Sequence, residues 1–157
     1  MVCPTDGSTA AMVLPHFPVE IAAPDLSPWL AGNTGIPGVH SFAAHIPGPH
    51  VAVFAITHGN EIAGAIVLDR LLRIGVRPAL GRLSLVFANP EAYARFDPQQ
   101  PTTSRYVDED LNRLWDDATL RGTRQSQELS RAVPCARWST LSMCYWTCTL
   151  CCGHRRH

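Results

Sequence analysis

Hydrophobic positions change period twice between Val51 and Arg73. Val51 to Ile56 is β-rich and apolar on both alternations, the pattern of a strand buried on both faces of a parallel or mixed sheet. From Glu61 the chain is apolar nearly all round, with Asp69, Arg70 and Arg73 confined to one narrow arc, until Gly75 and Pro78 end the periodicity. The spacing predicts a helix packed on that sheet. A second apolar β run follows at Arg82 to Ala88 and is stopped by Asn89-Pro90. Strand, helix and strand in that order imply a right-handed crossover between parallel strands, here Val51 to Ile56 and Leu83 to Ala88. The fold class is therefore α/β, a partial parallel or mixed sheet with flanking helices.

The flanks are less regular. Residues 1–36 read as a lead-in rich in Pro, Gly, Ala and Ser, with room for one short strand at Val19 to Ala22. Val39 to Ile46, then Pro47-Gly48-Pro49, then the core strand, look like a hairpin or tight strand connection. After the second strand, Glu91 to Phe96 fits one helical turn, and Asp97-Pro98-Gln99-Gln100-Pro101 opens a loop that runs into Ser104 to Trp115. That last segment is dense in charge yet punctuated by Tyr106, Val107, Leu111, Leu114 and Trp115, so part of it must be buried. Ala118 to Ala132 is polar and helix-compatible. The body of the fold thus spans residues 37–132, and residues 133–157 form a tail of different character.

At 157 residues the chain is one domain's worth, and its net charge of zero gives no broad footprint for nucleic acid or an anionic membrane. All 13 basic residues are Arg, as in a GC-rich bacterial gene. The first residues carry no basic n-region, and their longest apolar run is too short for a signal peptide core or a membrane span, so the cytoplasm is the expected compartment. Cysteine is lopsided: Cys3 stands alone, and the other five of the 6 fall at Cys135 and beyond, which is not the layout of a disulfide scaffold.

Candidate chemistry sits where strand meets helix. His58-Gly59-Asn60-Glu61 lies at the carboxyl end of the first core strand, where open α/β sheets place ligands. A His and a Glu three apart on an opening helical turn share a face, and together they supply two of the three protein ligands of a His2Glu catalytic zinc site. On its own the spacing is better explained by a helix-capping turn with a surface His and Glu; its position directly after a buried strand is what favours the ligand reading. Arg105 and Arg113 each offer a planar fork for a carboxylate or a polarised carbonyl, and Asn112 an amide donor, although Asp108, Glu109 and Asp110 could simply neutralise the arginines. His40, His45 and His50 flank the Pro-Gly-Pro turn and read as solvated edge histidines.

Taken together, Thr57-His58-Gly59-Asn60-Glu61, Asn89-Pro90-Glu91-Ala92, Ser104-Arg105-Tyr106 and Asp108-Glu109-Asp110-Leu111-Asn112-Arg113 resemble the succinylglutamate desuccinylase/aspartoacylase family of the zinc carboxypeptidase-like superfamily, over roughly residues 35–131. The resemblance implies that His58 and Glu61 are zinc ligands, that Arg105 polarises the scissile carbonyl, that Asn112 and Arg113 grip the substrate's carboxylate, and that Asp110 supports this loop from behind. The implied substrate is a small N-acyl amino acid or similar carboxylate, cleaved at an amide or related ester bond, with neither nucleic acid nor membrane as partner. Two family features have no counterpart: a third zinc ligand, a His in an Asp-apolar-His-Ser segment at a later strand end, and a later Glu that acts as general base.

The tail explains that absence in terms of the genetic code. Joining the third base of each codon to the first two of the next forces Val-Leu-Leu-Asp across Met143 to Thr147. The following two junctions allow Leu, Met or Val and then only His or Tyr, which accommodates the family's Asp-Leu-His. Residues after about Ser130 to Cys135 are thus expected to be out of frame, and the chain to be an incomplete, poorly active form. The rival reading takes Cys148, Cys151, Cys152, His154 and His157 as a zinc-binding module on a non-catalytic α/β fragment.

Overall fold

The chain forms β1 (Val39–Ala43), β2 (His50–Ala55), α1 (Ile62–Arg73), β3 (Arg82–Phe87), the single-turn α2 (Pro90–Tyr93), α3 (Asp117–Leu120), α4 (Gln127–Leu141) and β4 (Cys144–Thr147). Short 3-10 turns at Pro101–Ser104 and Leu111–Arg113 interrupt the stretch between α2 and α3. These elements come from a computed structural model, which describes residues 20–141 and 144–147.

The expected crossover is present. β2 and β3 pair in parallel, from His50 opposite Arg82 to Ala55 opposite Phe87, with α1 between them in the chain. Sheet order is β1-β3-β2-β4, mixed rather than all parallel, because β1 runs antiparallel to β3 while β4 runs parallel to β2. Alternation sends side chains from the two central strands to opposite faces. On one face Ala55, Leu85 and Phe87 meet Ala65, Leu68 and Leu72 of α1. On the other, Ala52, Phe54 and Val86 meet Leu129, Ala132, Cys135 and Trp138 of α4, with Leu111 and Leu114 filling the rim. α1 stops where the sequence says it should: Gly75 takes φ of 67°, the left-handed conformation that closes a helix without a Cβ penalty.

Three expectations are corrected. The hairpin does not form, since β1 pairs with β3 and not with β2. Its loop is bound instead to the entry of β3: Gly81 donates to the Ile46 carbonyl, Arg82 to that of Pro49, and Ala44 to that of Gly81. Residues 20–22 carry no strand, and Val19 lies outside the described residues. Neither His40 nor His50 is a solvated edge histidine: His40 is 8% exposed, with Nε2 2.9 Å from the Trp29 carbonyl and Trp29 and Phe42 packed against its ring, and His50 is half-buried in the interior strand β2, with Nε2 2.8 Å from Ser84 Oγ and its ring against Trp138.

Residues 133–141 continue α4 through Pro134, and Cys144–Thr147 adds the strand beside β2, from Val51 opposite Cys144 to Phe54 opposite Thr147. The candidate Cys/His module from Cys148 to His157 lies outside the described residues. Among the described residues no helix is long and apolar enough to cross a membrane.

Candidate active site

The site begins with a backbone conformation that side chains normally avoid. Ile56, the residue after β2, has φ of 53°, and a β-branched residue there costs roughly 1–3 kcal/mol. Its surroundings hold it: the residue is fully buried, and its carbonyl accepts from the Asn89 amide at 3.0 Å. The turn this creates delivers Thr57 and His58 to the carboxyl end of the sheet, both buried. Gly59 then passes so close to the Ala92 and Ser104 backbone that a Cβ would overlap both, and its amide donates to the Arg105 carbonyl at 3.1 Å. A short glycine step is therefore what allows the His58 loop to dock on the loop that carries Arg105.

His58 sits between two carboxylates. Its Nδ1 lies 2.7 Å from Glu61 Oε1, and its Nε2 lies 2.9 Å from Asp110 Oδ1. Glu61 is fixed in turn by the His58 amide, which donates to its other oxygen at 3.1 Å. Asp110 also accepts from the Asn112 amide at 2.9 Å, capping the Leu111–Arg113 turn, and from the Arg105 guanidinium at 3.3 Å. Burial pushes the imidazole toward neutrality, but its bonds to Glu61 and Asp110 prevail and raise its pKa above the ordinary value of 6.5. Burial likewise works to raise Asp110, yet its bonds to His58 and Asn112 bring its pKa below 3.8.

These shifts fix a pH dependence for the metal-free protein. The raised His58 stabilises fully below its unfolded value and loses that contribution as pH climbs through the folded value; Asp110, being lowered, contributes above its unfolded value and loses it as pH falls. Tm should accordingly peak between about 4 and about 6.5 and decline on both sides, with the alkaline decline missing in His58→Ala. Thermal melts in chelator across pH 3–9 check this, and a Tm that still rises beyond pH 7 contradicts it.

The donor set suits a divalent cation at one point. His58 Nδ1 and Glu61 Oε1 face each other where one ion could take both atoms, while Asp110 on the opposite nitrogen fixes the ring's orientation, as carboxylates behind metal-bound histidines do. Because Asp110 faces that other nitrogen it cannot share the ion, and among the described residues no three His, Cys, Asp or Glu side chains converge as a ligand set. The fit is thus two ligands.

Residues 47–139 match the succinylglutamate desuccinylase/aspartoacylase catalytic domain family. The chain belongs to that family. It is 35% identical to an aspartoacylase of Xenopus tropicalis over 92 residues, which is 55% of this chain and 27% of the relative. It is 36% identical to a succinylglutamate desuccinylase of Pseudomonas aeruginosa over 90 residues, 55% of this chain and 24% of that one. A solved succinylglutamate desuccinylase from Vibrio parahaemolyticus is similar with a TM-score of 0.40 and 20% identity, covering 61% of this chain and 32% of its own. The chain spans about a quarter of the length of the curated relatives it matches.

In this member of the desuccinylase/aspartoacylase family, His58, Glu61, Asp110 and Arg105 form one connected group. Asn112 joins it through its backbone amide. Arg113 is exposed at the end of the same turn; its backbone amide donates to the Asp110 carbonyl at 2.9 Å, while among the described residues no side-chain hydrogen bond or ion pair links its guanidinium to His58, Glu61 or Asp110. The acidic run does more than neutralise arginines: Asp110 meets Arg105, Glu109 meets Arg124 at 2.9 Å, and Asp108 accepts from the Gln127 amide at 2.7 Å to cap α4.

Sequence reasoning passed over Glu128. It is fully buried on the face of α4 that also carries Leu129, Ala132 and Cys135. The available signal was a carboxylate at a core-facing helical position, where a charge has no place without partners.

Proposed function

We propose that this chain carries the substrate-facing half of a zinc-dependent hydrolase of N-acyl amino acids, and that it is an incomplete, poorly active form. The observation that carries the reading is the convergence of His58 and Glu61 at the carboxyl end of β2, with Asp110 behind the ring and Arg105 beside it. Zinc, when bound, supplies Lewis acidity toward an acyl carbonyl and acidifies a water enough to serve as nucleophile near neutral pH.

The chain's own residues do the rest. Asp110 holds the imidazole by Nε2 so that Nδ1 turns to Glu61. Arg105, tethered through Asp110, presents its guanidinium to the scissile carbonyl oxygen, where developing negative charge favours it. Asn112 and exposed Arg113 hold the substrate's carboxylate, which keeps the acyl bond at a fixed distance from His58 and Glu61.

Incompleteness rests on the codon junctions and on where β4 lies. β4 ends at Thr147 opposite Phe54, so it runs beside β2 toward the end of the sheet that carries His58. The junctions that spell Val-Leu-Leu-Asp cover this strand, and the His-or-Tyr junction falls just after it. A third ligand encoded there would arrive beside the first two. The test is equilibrium dialysis against zinc together with assay of N-acetyl and N-succinyl amino acids. Weak zinc uptake, lost in His58→Ala and in Glu61→Ala, with trace hydrolysis abolished by chelator, is expected. Zinc uptake indifferent to both substitutions overturns the reading.

A further inference from the structure

Glu128 has four hydrogen bonds that the chemistry above leaves unused. Its Oε1 accepts from the Val107 amide at 2.7 Å and from Asn89 Nδ2 at 3.0 Å; its Oε2 accepts from the Asp108 amide at 3.0 Å and the Glu109 amide at 3.2 Å. Consecutive loop amides thus form a concave nest of the kind that binds anions, and a side chain of the protein itself fills it. No Arg pairs with this carboxylate among the described residues, so its charge is met by amide dipoles alone. Burial works to raise its pKa, and the bonds from Val107, Asn89, Asp108 and Glu109 outweigh that and hold it below the ordinary value.

What matters is where those donors lead. Glu109 immediately precedes Asp110, which holds His58. Asn89 donates its backbone amide to Ile56, two residues before His58 along the other loop. Asp108 returns the favour by capping the first turn of α4. One turn further along α4, Arg131 donates to the Ala88 carbonyl at 3.0 Å and the Phe87 carbonyl at 2.8 Å, fixing the helix to the end of β3. Glu128 is therefore the point at which β3, α4 and both site loops are joined.

We propose that Glu128 is a positioning residue: its carboxylate sets the register between the Arg105–Arg113 loop and the His58 loop, and so the meeting of Asp110 with His58. This deepens the zinc-hydrolase reading and rests on it for its consequence in catalysis, but not for its structural content. A purely structural role would loosen the whole fold when Glu128 is changed. A positioning role loosens the joint.

Amide hydrogen exchange on the metal-free 157-residue chain separates the two. In Glu128→Gln one terminal atom becomes an NH2 that faces donors, and loss of bonds to a charged group should speed exchange about tenfold or more at Val107, Asp108 and Glu109. The decisive amides are Gly59, bonded to the Arg105 carbonyl, and Asn112, bonded to Asp110; both should speed up with the nest, while Leu85 in β3 and Leu68 in α1 keep their protection. Unchanged exchange at Gly59 and Asn112, or an equal rise everywhere, overturns the proposal. If Glu128→Gln does not fold, Glu128→Asp, which keeps the charge but shortens the reach, should give the same selective pattern more weakly. Zinc titration adds a second readout: affinity should drop about tenfold in Glu128→Gln. His58→Ala serves as its control, since zinc uptake unchanged in that variant counts against the metal reading while the exchange data still decide the role of Glu128.

Discussion

Replacing residues 133–157 by the other reading frame should convert a trace hydrolase into an active one. The expected gain has two sources. A third ligand tightens the metal and tunes its water toward a pKa near 7, and a restored general base contributes a further factor of roughly 10²–10⁴. In the restored chain His58→Ala should return activity to background, because under the zinc-hydrolase proposal the imidazole would hold the metal, and it is the group that Glu61 and Asp110 are arranged around. Expression of both versions, zinc analysis and hydrolysis of a panel of N-acyl amino acids make the measurement. Equal activity in the two chains refutes the frame argument, and full activity surviving His58→Ala refutes the zinc argument.

Gly59→Ala should be nearly as damaging without touching a charged group. An added methyl would overlap the Ala92 carbonyl and the Ser104 oxygen, both backbone, so neither neighbour can swing aside as a side chain would. Relief requires the His58 loop to lift off the Arg105 loop, breaking the bond from the Gly59 amide to the Arg105 carbonyl. Overpacking of this kind costs about 3 kcal/mol, or about 6–12 °C in Tm for a chain of this size. Zinc uptake should weaken in parallel, since Asp110 can no longer reach the ring squarely. By contrast Gly35→Ala, where a Cβ meets nothing, should leave zinc uptake intact despite its φ of 79°. A Gly59→Ala protein with unchanged Tm and zinc uptake would show that the two loops are not docked as described.

The sequence was most informative where one interaction dominates. The crossover could be read because burial on both faces leaves an uninterrupted apolar run, and no competing pattern reproduces it across Val51 to Ile56 and Arg82 to Ala88. The contact between His58 and Glu61 could be read because three-residue spacing on a turn brings the two side chains together, although that spacing alone leaves their role open. The partner of β1 could not, since Pro47-Gly48-Pro49 is compatible with a hairpin and only the competing bonds to Gly81 and Arg82 decide against it. Nor could the environment of His40 be foreseen, as it depends on Trp29 folding back from the lead-in. Glu128 was hidden for a similar reason: its partners lie 19 to 39 residues away, and a Glu early in a helix ordinarily faces solvent.

The distance along the chain between partners also sets an order of events. Asp110 meets His58 across 52 residues, and Glu128 meets Asn89 across 39. As the polypeptide leaves the ribosome, β2, α1 and β3 can assemble while α4 is still being made, and during that interval Ala52, Phe54 and Val86 face water with nothing over them. Arrival of α4 covers this face and, through Glu128, bonds Asn89 and the loop that leads to Asp110 in the same step. Cover for the apolar face and the docking of the site loops are thereby tied to the same helix, so a substitution in α4 remote from His58 should lower yield as well as disturb the contact between Asp110 and His58.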